Sequence, residues 1–127
     1  MADYRQISQD YARAAVNTSV LLNGGGAVAF ISQLGSLVAA GFGPVVFWPL
    51  ALWATGAFFA GLTYPLAFLS TRHVDRSERS SLSLVKDKET LIADRYMYGG
   101  LATCIGSLIL FGLGCARLAY EFKLLFG

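Results

Sequence analysis

The chain has 127 residues, of which 55% are hydrophobic and 14% charged, with a net charge of +2. A soluble domain carries roughly a quarter charged residues, and here the charges are also bunched: none lies between Ser19 and Thr71, nor from Tyr96 to Ala116. This excludes a water-soluble globular domain, a disordered chain and a nucleic-acid-binding module, and the net charge is too small to point to an anionic partner by itself.

A bilayer core about 30 Å thick needs roughly 20 apolar helical residues to cross it. Three segments qualify, at about 14–37, 45–69 and 98–118. The expected fold is all-α: an integral membrane bundle of three transmembrane helices in one domain, with a short N-terminal amphipathic segment. In that segment Tyr4, Ile7, Tyr11 and Ala14 recur at helical spacing among Asp3, Arg5, Asp10 and Arg13. It suits a helix lying on the membrane or a continuation of the first span into water. A cleaved signal peptide is the competing reading of the first span; Asp3 and Asp10 in its leader and the long apolar stretch argue against it.

The first span contains Asn17, Asn23 and Gln33. Ser19, Asn23, Gly26, Phe30 and Gln33 fall in a stripe about 80° wide on a helix. Three glycines, Gly24 to Gly26, sit at its centre. Each weakens a helix by about 1 kcal/mol relative to alanine in water, and is best tolerated where a backbone approaches closely or the helix bends. The face Ser19, Asn23, Gly26 and Gln33 is therefore a candidate pore lining. The same residues also suit structural ties to Thr55, Thr63, Thr103 or Ser107, because membrane helices associate through small residues and interhelical hydrogen bonds. Asn17 is expected near the interface, satisfied by water.

Gly41, Phe42, Gly43 and Pro44 make a tight turn, so the first two spans form an antiparallel hairpin. The second span opens with Phe47 and Trp48 and closes near Tyr64, as interfacial aromatics do. Pro65 should kink its end. Gly56 and Ala60 give it a small-residue pair for helix packing.

The connection 70–95 is expected to be a cytoplasmic loop, beginning with the polar cluster TRHVDRSERSS. Its second half carries Leu84, Val85, Leu91 and Ile92 on one face and should be helical and continuous with the third span. His73, the one histidine, reads as a solvated interfacial residue. The third span presents Gly99, Thr103, Gly106 and Gly114 as helix-packing positions. Cys104 and Cys115 stand about 16 Å apart by helical rise, too far for a disulfide. Arg117 and Glu121, four residues apart, should pair.

Lys and Arg number eight on the side of the N-terminus and the second connection, against two on the other. This excess places the N-terminus in the cytoplasm and the C-terminus outside. No span holds paired carboxylates, no nucleophilic triad assembles, and no metal-ligand or phosphate-loop pattern occurs. No catalytic residue, metal or cofactor is therefore expected.

The stretch LLNGGGAVAFISQLG, Leu21 to Gly35, resembles a motif in the first span of uncharacterised small bacterial membrane proteins, and that resemblance implies a bacterial inner-membrane setting. The layout also resembles three-span phage holins, but with the opposite orientation and without their basic tail. The leading expectation is a non-enzymatic bundle in the bilayer that homo-oligomerises and forms a pore or acts as a membrane effector. The alternative is an accessory subunit packed against a larger respiratory, transport or signalling complex.

Overall fold

The computed structural model describes residues 4–126, which form three long helices: α1 (Tyr4–Ala39), α2 (Gly43–Arg79) and α3 (Ser83–Phe126). All three are long and apolar enough to cross a membrane. Each contains one expected span and overruns it, because 36, 37 and 44 helical residues measure about 54–66 Å by helical rise, nearly twice the bilayer core.

The α1–α2 turn is built as its glycine and proline predict. Gly41 takes the left-handed conformation, φ +86°. Its N–H reaches Val38 O at 3.0 Å, and the Phe42 N–H reaches Leu37 O at 2.8 Å. These two bonds satisfy carbonyls that the end of a helix leaves open, and they define a Schellman cap. Pro44 then stands in the first turn of α2, where no N–H is needed.

The stretch 70–95 is not a loop. α2 continues past Leu69 to Arg79, and only Ser80, Ser81 and Leu82 separate it from α3. Arg and Glu are good helix formers, and the segment also gains partners: Ser70, His73 and Ser77 of α2 all bond to α3. The second half of the stretch is helical and continuous with the third span, as expected. Pro65 lies inside α2 without ending it. The N-terminal segment is the first part of α1, not a separate amphipathic element; Asp3 and the side chains of Tyr4, Arg5 and Ile7 lie outside the described residues.

Burial is inverted relative to a soluble protein. Ser19, Asn23 and Ser107 are completely buried, while Leu21, Phe58, Phe68, Ile109 and Leu113 stand out from the bundle. Polar groups inside and large apolar side chains outside make sense only with lipid as the solvent. The chain is a multi-pass membrane protein. Its tightest seam is between α2 and α3; α1 leans mainly on α2 and touches α3 least.

Candidate functional site

The bundle centre is organised around Asn23. Its Nδ2 donates to Ser19 O at 3.1 Å in its own helix, and across to Ser107 O at 3.1 Å and Ser107 Oγ at 3.0 Å in α3. Because both backbone partners are pure acceptors, the amide nitrogen must face them. That turns Oδ1 toward α2, where it has no hydrogen-bond partner. It rests on Gly56: a Cβ built there would collide with it. One Gly56 Cα–H therefore points at Oδ1, a weak C–H···O contact of the kind recurrent between closely packed helices. One turn earlier in α1, Ser19 Oγ donates to Ala15 O at 3.0 Å and lies 3.6 Å from Cys104 Sγ.

Toward the C-terminal end of α1 the seal is aromatic. Trp53 is 5% exposed and donates from Nε1 to Phe111 O at 3.2 Å. Its ring meets Phe30 edge-on at 5.0 Å and stacks on Phe111 at 5.9 Å. Gly26 of α1 and Gly114 of α3 flank it, and a Cβ at either would strike the indole. So large a side chain fits the centre of a helix bundle only because both neighbours lack side chains there.

Of the candidate face, the structure gathers Ser19, Asn23 and Gly26 into this closed centre. Gln33 is not with them. It is exposed, and it lines a cleft between the ends of α1 and α3. Among the proposed packing residues, Gly56, Ala60 and Gly114 are buried at helix contacts. Thr103 bonds to Thr63 at 3.0 Å, and Gly99 lies near Leu66. Gly106 makes no close contact within the bundle, since a Cβ there would meet nothing within 4 Å: it is half-buried at the flank of α3 and open to a neighbouring helix. Of the expected ties to the first span, Ser107 is used by Asn23, Thr63 and Thr103 bond to each other, and Thr55 bonds back to Ala51 O at 2.8 Å within its own helix.

Two expectations about polar residues are corrected. Asn17 is not left to water: the Tyr64 hydroxyl donates to its Oδ1 at 2.5 Å. His73 is not solvated either. Its side chain is 15% exposed, its Nδ1 donates to Glu89 Oε2 at 2.6 Å, and its ring stacks on Tyr96 at 5.6 Å. This bond from His73 holds the Glu89 carboxyl below its ordinary value of 4.5, with Arg76 and Lys88 adding weaker attraction. Near it Ser77 Oγ and Thr90 Oγ1 meet at 2.9 Å, and Ser70 donates to Ala93 O at 2.9 Å. Arg117 and Glu121 pair as expected, and the Arg117 guanidinium lies over the Tyr120 ring.

Sequence reasoning misses the contacts of Trp53 and of the His73–Glu89–Tyr96 group. The signal available for Trp53 is an indole-bearing residue in mid-span, away from the interfacial zones. For Glu89 it is one of several carboxylates near a lone histidine, sixteen residues from it, which becomes a pairing only once the α2–α3 register is known. Among the described residues, no three His, Cys, Asp or Glu side chains gather as metal ligands would. No family model, curated protein or solved structure matches this chain.

Proposed function

We propose that the chain is a non-enzymatic protein of the bacterial inner membrane that works by assembling with further membrane-spanning helices, first of all its own copies. The observation that supports this is the set of glycines turned outward. At Gly24 and Gly25 on α1, Gly61 on α2, and Gly106 and Gly112 on α3, an added Cβ would meet no atom within 4 Å. Such bare backbone allows another helix to approach closely, the main source of attraction in lipid. Ser19, Asn23 and Ser107 do not offer a path through one protomer, because they are fully buried and bonded to one another's helices. In the pore-forming version of this reading, the path therefore runs between protomers.

The test is a mass measurement in lipid nanodiscs together with dye release from vesicles. The expected result is a species larger than one 13.6 kDa chain, with any leakage surviving Asn23→Leu. A monomer at every protein-to-lipid ratio would overturn the proposal. The N-terminus and the α2–α3 turn belong in the cytoplasm by the excess of Lys and Arg on that side; a cysteine at Ser81 should then be labelled by an impermeant maleimide only from the cytoplasmic face.

A second reading is an accessory subunit of a larger membrane complex. It is favoured by Leu82, Leu84 and Leu91, which are exposed on the charged hairpin beyond the apolar spans. Large apolar residues in water are what a docking surface presents. Copurification with one larger membrane protein, lost on Leu84→Glu and Leu91→Glu, would select this reading.

A further inference from the structure

Beyond Trp53, the ends of α1 and α3 part and leave a cleft of about 440 Å³. Its walls are Ala29, Phe30 and Leu37 of α1, Val46 of α2 and Phe122 of α3, with Phe42 of the turn beside them. From Ala29 to Ala40 it follows α1 for about 16 Å by helical rise. Its floor is Phe30, whose ring rests on Trp53. Gln33 and Ser36 are the polar groups on its wall.

Trp48 on α2 and Tyr120 on α3, both more than half exposed, lie at the same end of the bundle as the cleft, and such rings favour the headgroup level, which sets the mouth of the cleft at the membrane surface. Lys123 follows Phe122 in the last turn of α3. At this end of the bundle Arg117 is engaged by Glu121, whereas Lys123 is exposed and has no partner among the described residues. The result is an apolar slot opening beside one uncompensated positive charge, the complement of an anionic amphiphile.

We propose that the cleft holds one acyl chain of an anionic phospholipid, with the lipid phosphate against Lys123 and the Gln33 carboxamide within reach of the ester region. This inference is independent of whether the chain oligomerises. A flexible lysine stem can lie along the apolar surface while its ammonium reaches the phosphate.

The experiment uses the Trp48→Phe protein, in which Trp53 is the remaining tryptophan of the two. It is reconstituted in vesicles of phosphatidylcholine containing small, equal fractions of mid-chain-brominated phosphatidylglycerol or phosphatidylcholine. Bromine on a chain in the cleft lies against Phe30 and quenches Trp53. The expected result is a preference of about fivefold for the anionic lipid, the size one lysine gives at an anionic surface. Lys123→Gln, a change on an exposed residue, should bring the preference close to one. Equal quenching by the two lipids, or a preference that Lys123→Gln leaves intact, would overturn the proposal. So would the absence of quenching by either lipid, since the cleft would then be filled by protein.

Discussion

The carboxamide oxygen of Asn23 lies directly on the backbone of Gly56, with no room between them for a side chain. The two residues belong to different helices, and each explains the other. Asn23 turns its nitrogen to Ser19 and Ser107, so its oxygen must face α2. Only glycine can receive an oxygen at that distance.

Gly56→Ala should therefore destabilise the bundle by about 1–3 kcal/mol, the usual cost of an added methyl in a packed core. Asn23→Ala alone should cost about 1 kcal/mol through its lost bonds to Ser107. The double variant should be more stable than the sum of the two losses, because the collision is gone, with a coupling of about 1–2 kcal/mol. Reversible unfolding in mixed micelles measures all three; simple additivity would show that the two residues do not touch.

Trp53 offers a graded test. Trp53→Phe keeps a ring between Gly26 and Gly114 but loses the bond to Phe111 O, an expected cost of about 1 kcal/mol. Trp53→Ala empties the space as well and should cost about 3–5 kcal/mol. If both variants unfold at the same denaturant concentration, the indole is not a packing element.

Acid should loosen the α2–α3 hairpin. The Glu89 carboxyl is held below its ordinary 4.5 chiefly by the bond from His73. A carboxylate whose value is lowered by folding stabilises the folded state above its unfolded value, and that contribution is lost as pH falls through the folded value. Amide protection factors around Ser77 and Thr90 should thus stay level as pH falls toward 4.5 and then drop. In Glu89→Gln that drop should vanish. An unchanged drop would assign the acid sensitivity to another group.

The two thiols should differ in reactivity. Cys104 is buried against Ser19, whereas Cys115, three turns further along nearly the same face of α3, is exposed. A lipid-soluble maleimide should modify Cys115 first, leaving Cys104 until the bundle is unfolded. Cys115→Ser should abolish the fast phase.

Much of this architecture is legible in the residues. Charge-free stretches locate the spans, and Gly41 with Pro44 marks the first turn. The polar stripe of α1 points at Asn23, and Ser107 stands among its possible partners. The hairpin 70–95 escapes such a reading because Ser, Arg and Asp in a row look like a solvated connection. What makes it helical is the pairing of His73 with Glu89 and of Ser77 with Thr90, which depends on register between two helices. Gln33 fits the stripe by angle, yet α1 has parted from α3 by that height. Angular position alone does not tell how far a neighbouring helix extends.

The three-residue link Ser80–Leu82 has a mechanical consequence. α2 and α3 pass from the apolar spans into the charged hairpin without a break, and helices joined along their length by side-chain bonds bend little. The projecting tip is a lever of about 15 Å, and its fulcrum is the headgroup region. A sideways push at Leu84 is carried down as a tilt of both rods rather than absorbed by a slack tether. It arrives at the Gly56–Asn23 contact, where α1 is gripped.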